Sequence, residues 1–553
     1  MHSNSFDRIP GVIAEQFNPD GLRTFPDVLK RAFELYPDNL AFTCLGASIS
    51  FSELNRLSRN FAAYLQQVCG LKPGERIAIQ LPNLLQYPVV AFAAIRAGLV
   101  IVNTNPMYTS RELKHQLNDS GARAMVLLDA RIPMTDEFLA ETSVEKLIYT
   151  RIADLPALTS DSVGDLEEQA DRIDLLTALK LGSEQMLAPV KADPGTLALL
   201  QYTGGTTGVA KGAMLTHSNL VANQIQTAHH LRQRIIPGKE IYIAPLPLYH
   251  IYAFTVHLLA LFGQGAHSVL IPNPSDIDSL IAAAKPWKFT GFAGINTLFV
   301  ALCANEEFRQ LDFSPLKLTS SGGMALTRDA AEQWHNVTGC QISEGYGLSE
   351  TSPAVCLNKP EDPRIGTIGV TVVDTEIMVI DEEDNPLPQG EVGQLCVKGP
   401  QVMQGYWQRP VETSDVFLPG GWFKTGDMAV IQEDGLTRIV DRKKEMIIVS
   451  GFNVFPCEIE DVVCLHPGVR ESAVIGIQDE KSGEKVRLYV VAADPGLTEK
   501  ELLDYCRKNL TAYKVPKELV FCDQLPKSNV GKILRRVLKD EAMAARTAAL
   551  LKG

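Results

Sequence analysis

The stretch Tyr202-Thr-Gly-Gly-Thr-Thr-Gly-Val-Ala-Lys-Gly212 places four glycines, three threonines and one lysine in eleven residues. Glycines let backbone N–H groups turn toward an anion, threonine hydroxyls add donors, and Lys211 adds charge. Such a loop suits a polyphosphate. It is not a Walker A loop, because Ala210 precedes the lysine and no Ser or Thr follows it. Glu344-Gly-Tyr-Gly-Leu-Ser-Glu350 flanks an aromatic with glycines, which leaves a ring face free for a flat base. Glu350 suits Mg²⁺, an ion that takes one or two carboxylates plus substrate phosphates. Ser320-Ser-Gly-Gly-Met324 is a small-residue turn that lets backbone approach a planar ring. Gly421-Trp-Phe-Lys-Thr-Gly-Asp427 puts a carboxylate after a tight turn, and an ionised carboxylate accepts both O–H groups of a ribose diol. Asp441-Arg-Lys-Lys444 is a basic run, and Pro526-Lys-Ser-Asn-Val-Gly-Lys532 presents a lysine on a glycine turn. Taken alone, each has a plainer reading: a glycine-rich hairpin, a turn with a core tyrosine, a β-turn aspartate, a solvated charge run, an exposed lysine.

Alternation of apolar runs and helical periods surrounds these stretches. Phe25 to Leu71 reads as two helices around a strand pair at Thr43 to Phe51, with Ser52 as the cap of the second helix. Strands are predicted at Arg76 to Gln80, Leu99 to Val102 and Ala124 to Leu128, with helices at Tyr87 to Ala97 and Leu113 to Asp119. The polyphosphate loop joins two more strands, and Thr216-His-Ser-Asn219 opens a helix to Arg234. A second alternation has strands at Tyr242 to Leu246, Ser268 to Ile271, Gly291 to Ala293 and Leu318 to Ser320. This pattern predicts two α/β subdomains with largely parallel sheets. Gly366 to Lys398 and Gly420 to Val440 alternate between Gly and Pro turns, as a small antiparallel barrel or meander does. Beyond 441–444, about a hundred residues read as a separate α+β domain. The expected domains are 1–441 and 442–553.

The chain has 553 residues, 45% hydrophobic and 21% charged, which is globular composition. Its net charge of −13 argues against nucleic acid as a partner. Residues 442–553 carry 19 Lys and Arg against 16 Asp and Glu, so the rest carries −16. Ten cysteines without a CxxC pair give neither a zinc site nor a disulfide framework, which points to a reducing cytoplasm. The first residues lack a signal-peptide pattern, and the apolar run Val89 to Val102 is broken by Arg96 and is too short to span a bilayer. A peripheral contact with the inner face of the cytoplasmic membrane stays open, as does a homodimer.

These stretches, in their order along the chain and over nearly its whole length, resemble the adenylate-forming superfamily: acyl-CoA synthetases, luciferases and peptide-synthetase adenylation domains. Pro247-Leu-Tyr-His-Ile-Tyr252, Val102-Asn-Thr-Asn-Pro-Met-Tyr108 and Gly420 to Lys444 look most like bacterial long-chain fatty acid–CoA ligases. The resemblance implies a large N-terminal domain and a small mobile C-terminal one. It implies ATP and CoA as co-substrates, Mg²⁺ as cofactor, a fatty acid as partner, and a role in fatty acid degradation. Thr203, Gly204, Gly205, Thr206, Thr207, Gly208 and Lys211 would cradle the ATP phosphates. Gly322, Gly323, Gly345, Tyr346, Gly347 and Ser349 would line the nucleotide, with Tyr346 on adenine. Asp427 and Arg442 would hold the ribose, and Glu350 the Mg²⁺. Lys532 would contact the α-phosphate and the attacking carboxylate, acting with Glu350 and Thr206 in catalysis. Lys444 would be the hinge. His250, Tyr252 and Gly323 would lie by the acyl group, and Ser450, Gly451 and Phe452 by CoA. The family mostly has threonine where Ser349 stands; a hydroxyl is kept. Two other readings stay open: a medium-chain or aryl-CoA ligase of the 4-coumarate type, and a fatty-acid or nucleotide-binding protein without chemistry.

Overall fold

Local caps set where the helices begin. Ser50 caps helix Phe51–Gln67: its hydroxyl accepts from the Glu53 N–H at 3.2 Å, and the Glu53 carboxylate accepts from the Ser50 N–H at 2.7 Å. Ser50 takes the role expected of Ser52 because it stands three residues before a glutamate, which closes a capping box. Thr216 does the same for helix His217–Leu231, with Asn219 as its partner. Asn219 also donates to the carbonyls of Pro400 and Val402 at 2.8 and 2.9 Å, so one cap ties the helix to a distant loop.

The structure is a computed structural model that describes residues 13–158, 168–169, 172–203, 210–479, 482–527 and 533–550. It divides into two compact units, Met1–Ile377 with Val397–Phe423, and Met378–Cys396 with Lys424–Gly553. Two large sheets build the first unit. One runs Lys211–Thr216, Leu197–Thr203, Val100–Asn103, Arg76–Gln80, Ala124–Leu128, Lys146–Thr150, Arg172–Asp174, Glu168–Gln169. It is parallel except at its two ends. The other runs Val370–Thr371, Ala354–Leu357, Ile342–Gly347, Leu318–Gly322, Gly291–Gly294, Ile241–Ala244, His267–Leu270, Leu40–Cys44, Ala47–Ser50. Its inner strands are parallel too. The predicted N-terminal strand pair therefore joins the second sheet, with Phe42 opposite Ser268, although it precedes the first sheet in sequence.

Leu200, Tyr202, Val102, Leu113 and Leu117 pack in the core under the first sheet. Phe292, Phe299, Phe308 and Trp334 pack under the second, with ring centroids 4.8 to 6.1 Å apart. A five-stranded sheet runs Glu376–Ile380, Val392–Lys398, Trp422–Ile431, Phe417–Leu418, with Thr437–Arg442 paired to Trp422–Ile431. In the second unit the long hairpin Val469–Asp479 and Gly483–Ala492 carries the small strands Ile447–Val449, Phe452–Val454 and Glu518–Phe521. Helix Pro456–Cys464 and helix Glu499–Asn509 supply Ile459, Val463, Leu502 and Cys506 to the core on one face of that sheet. The hinge proposed at 441–444 falls inside this unit, at the end of strand Thr437–Arg442. All ten cysteines are free.

Candidate functional site

The polyphosphate hairpin stands where the sequence puts it at both ends. Lys211 pairs with Thr203 across strands Leu197–Thr203 and Lys211–Thr216. Gly204, Gly205, Thr206, Thr207 and Gly208 lie outside the described residues. A Cβ on Gly212 would stand 3.1 Å from ring atoms of Tyr202, a tight contact that favours glycine there. The Tyr202 hydroxyl donates to Asp119 at 2.7 Å, and burial followed by that carboxylate pushes the phenol up, so it stays a donor.

A segment absent from the sequence expectations completes this hairpin. Gln404 to Trp407 lies along the second strand: the Met214 N–H donates to the Gly405 carbonyl at 2.9 Å, and the Trp407 N–H to the Gly212 carbonyl at 2.8 Å. Tyr406 is the bridging residue opposite Ala213. Its hydroxyl donates to Glu350 Oε1 at 2.9 Å, and the Lys211 ammonium lies 5.4 Å from its ring centroid. Glu350 sits on the short turn Ser349–Thr351 and is buried, and its carbonyl accepts from the Met403 N–H at 2.8 Å. The signal in the sequence is a glycine beside two aromatics, Gly405-Tyr-Trp407, similar in kind to Gly345-Tyr-Gly347.

The glycine stretches meet side by side. Gly322 and Gly345 are register partners on adjacent parallel strands. A Cβ on Gly322 would stand 3.3 Å from both the Gly345 carbonyl oxygen and the Tyr252 ring, while Gly323 has φ +82°, a left-handed backbone. Tyr346, half-buried, is opposite Cys356, and its strand runs on to Gly347 and the Ser349 turn. Glu344 braces this shelf: its carboxylate accepts from the Leu326 N–H at 3.2 Å and the Gly366 N–H at 2.9 Å. Burial pushes it up to about 7, against those two lowering hydrogen bonds.

His250 caps helix Ile251–Thr255, its Nδ1 accepting from the Tyr252 N–H at 3.3 Å. The Tyr252 hydroxyl donates to Ser320 Oγ at 3.0 Å, and burial pushes it up to about 12. A buried amide chain ties this segment to the hairpin. Tyr87 donates to Asn103 at 2.6 Å, Asn103 to Gln201 at 3.0 Å, and Gln201 to the Tyr249 carbonyl at 3.1 Å. The first unit thus links Lys211, Glu350, Gly322, Gly345, His250 and Tyr252 at the C-terminal ends of parallel strands, where α/β sheets bind ligands.

In the second unit Asp427 and Arg442 are cross-strand partners, Arg442 Nε 3.4 Å from Asp427 Oδ1. Asp427 is 5% exposed, and its N–H donates to Thr425 Oγ1 at 3.1 Å. Lys444 lies on the turn Lys443–Glu445, its ammonium pushed down by burial and then by Arg442. Ser450 and Gly451, both exposed, form the two-residue turn between Ile447–Val449 and Phe452–Val454, with φ 52° and 84°. Phe452 is 54% exposed and stacks on Tyr513 at 4.6 Å. Lys532 lies outside the described residues, but the chain on either side of it is pinned. Lys527 and Ile533 form an antiparallel bridge, and Arg535 pairs with the half-buried carboxylate of Glu460 at 2.5 Å.

No group of three or more His, Cys, Asp or Glu among the described residues could hold a metal by itself. One buried carboxylate, Glu350, beside a polyphosphate hairpin fits Mg²⁺, which binds chiefly through phosphates and water.

A glycine-rich hairpin, a glycine shelf and a buried carboxylate stand together on an α/β fold. The chain belongs to the AMP-binding enzyme family: residues 29–407 match the AMP-binding enzyme description, and residues 458–532 match the AMP-binding enzyme C-terminal domain. It is 47% identical to a long-chain-fatty-acid–CoA ligase of Escherichia coli over 97% of this chain and 98% of that one. It is 46% identical to one of Yersinia pestis over 98% of both. The crystal structure of ATP-bound MatB from Rhodopseudomonas palustris superposes with a TM-score of 0.81 at 29% identity, over 93% of this chain and 98% of that one.

Proposed function

We propose that this chain is a long-chain fatty acid–CoA ligase. It activates a fatty acid with ATP and passes the acyl group to CoA. The observation that carries the reading is similarity to ligases of that name along nearly the whole chain, on a fold where Lys211, Glu350, Gly322 and Tyr252 are linked.

In the first half, a carboxylate oxygen bonds to the α-phosphorus of ATP while the bond from that phosphorus to the bridging oxygen breaks, releasing pyrophosphate. A carboxylic acid with a pKa of about 4–5 is already ionised, so no general base is needed. The obstacle is charge: an anion approaches a polyphosphate. Lys211, Lys532 and the hairpin donors offset it. Mg²⁺, held by Glu350 when bound with the nucleotide, supplies further neutralisation of the phosphates. Gly322, Gly323, Gly345 and Gly347 give the adenine a flat wall beside Tyr346, and Ser349 keeps a hydroxyl there. His250 and Tyr252 face the acid. In the second half, the CoA sulfur bonds to the acyl carbon, AMP leaves, and the thiol proton is lost to solvent or a base. The turn Ser450–Gly451 and the exposed Phe452 serve the CoA arm.

One site for two half-reactions needs an exchange of elements over it. In this reading Lys532 leaves after adenylation and the face around Ser450 arrives, by rotation about Lys444. Lys444→Pro is expected to slow overall turnover more than pyrophosphate release, measured on one preparation; unchanged rates in both would remove the hinge. Because the substrate is a lipid, a peripheral contact with the membrane belongs to the same reading. No helix among the described residues is long and apolar enough to cross one.

The test is a panel of acids from acetate to oleate, plus 4-coumarate, with ATP and CoA, following AMP release. A maximum among long chains is expected. Each buried methylene contributes about 0.8 kcal/mol, so two shorten or lengthen preference by about tenfold. A maximum at the aromatic acid would make it an aryl ligase, and no AMP with any acid would leave a binding protein.

A further inference from the structure

Tyr406 stands between the two charges that a metal–triphosphate needs from the first unit. Its hydroxyl donates to Glu350 Oε1 at 2.9 Å, and its ring carries the Lys211 ammonium 5.4 Å from the centroid. It is itself held from several sides. Its N–H donates to Thr413 Oγ1 at 2.9 Å, and its neighbours Gly405 and Trp407 bond to Met214 and Gly212 on the hairpin strand. The Trp407 indole N–H donates to the Asp119 carbonyl at 3.0 Å, and Arg409 pairs with the Asp119 carboxylate at 2.5 Å. Asp119 in turn takes the hydroxyl of Tyr202, at the start of the hairpin.

We propose that Tyr406 is a positioning residue for the metal–nucleotide: it orients the Glu350 carboxylate and seats Lys211, so that opposite charges are fixed in place before ATP arrives. The proposal rests on the reading of Glu350 as the Mg²⁺ residue. The chemistry needs such a part. A carboxylate on a short turn rotates about its terminal torsion at little cost, because that torsion has no sharp staggered wells. A hydrogen bond to one oxygen removes that freedom and leaves the geometry of the other defined. The backbone pairing transmits the same order to the hairpin, since Tyr406 sits opposite Ala213, two residues after Lys211. A tyrosine that merely satisfied a buried carboxylate would need no ring contact with Lys211.

Tyr406→Phe and Tyr406→Leu separate the parts. The full-length variants are titrated with MgATP and, separately, with AMP by calorimetry, and Mn²⁺ binding in the presence of ATP is followed by electron paramagnetic resonance. Phe removes the hydroxyl and keeps the ring. MgATP and Mn²⁺ affinity should fall about tenfold or more, the size of a lost hydrogen bond to a charged group, while AMP affinity stays within about twofold. Leu removes the ring as well, and MgATP affinity should fall further. Equal losses for MgATP and AMP would mark Tyr406 as structural, and no loss in either would remove the role. Glu350→Gln is the reference. If it shifts Mn²⁺ binding and Tyr406→Phe does not, the proposal fails alone. If neither shifts it, the metal reading of Glu350 fails with it.

Discussion

Replacing Lys532 by Ala is expected to slow pyrophosphate release by about 10² to 10³-fold, the effect of removing one donor aimed at developing charge, while supplied acyl-AMP is still converted to acyl-CoA. The asymmetry follows from what the two half-reactions ask of a cation. In the first, a carboxylate meets an α-phosphorus flanked by charged oxygens, and an ammonium near both lowers the cost of approach. In the second, the pyrophosphate has gone and the nucleophile is a thiol, only a few per cent ionised near neutrality, so a cation at the same place has little to offset. The described residues that flank Lys532 in sequence are held by specific contacts. On one side Lys527 is paired to Ile533 and salt-bridged to Glu471 at 2.7 Å. On the other, Arg535 is locked to Glu460, whose second contact is the Val474 N–H at 2.7 Å. Ile533 packs against the cluster of Ala473, Ile475, Leu525 and Leu538. The two half-reactions are assayed apart, with radiolabelled pyrophosphate exchange and with synthetic acyl-AMP. An equal loss in both would count against the role.

How much of this was legible depended on whether the cause was local. The helix start at Thr216 and the apolar runs of both sheets are written in neighbouring residues, and the structure has them where the sequence puts them. The cap at Ser50 was missed by two positions because the box depends on a glutamate three residues on, not on the serine alone. The strand pair expected at Thr43 to Phe51 stands at Leu40–Cys44 and Ala47–Ser50, and its place in the second sheet is not legible in sequence. Its partner Ser268 lies more than two hundred residues away, and alternation says nothing about which sheet a hairpin joins. Tyr406 is silent in sequence for the same reason. Its neighbours in space, Ala213, Lys211 and Glu350, come from two other stretches, and nothing in Gly405-Tyr-Trp407 states that a carboxylate stands opposite. The amide chain from Tyr87 through Asn103 and Gln201 to Tyr249 is equally silent in sequence, since single polar residues inside apolar runs read as interruptions.

Asp427→Ala is expected to weaken both half-reactions together, raising the KM for ATP and for acyl-AMP by about a hundredfold or more. In the proposed reading its carboxylate accepts both hydroxyls of the ribose, and hydrogen bonds to a charged group contribute about 1.5–3 kcal/mol each. The ribose is present in ATP, acyl-AMP and AMP alike, so the loss is shared by every step. That shared loss is the contrast with Lys532, whose partner exists only before pyrophosphate leaves. The lost pair with Arg442 costs the folded protein little. Arg442 lies 3.4 Å from Asp427 but its side chain is 41% exposed, and such a pair contributes at most about 1 kcal/mol. The strand pairing that aligns Asp427 with Arg442 and Met428 with Asp441 is made by backbone, and it survives the substitution. Calorimetric titration with AMP and a thermal melt, on the same sample, separate the two effects. A large drop in melting temperature with a proportionate loss of AMP affinity would make Asp427 a structural residue. A loss confined to adenylation would move it from the ribose to the phosphates.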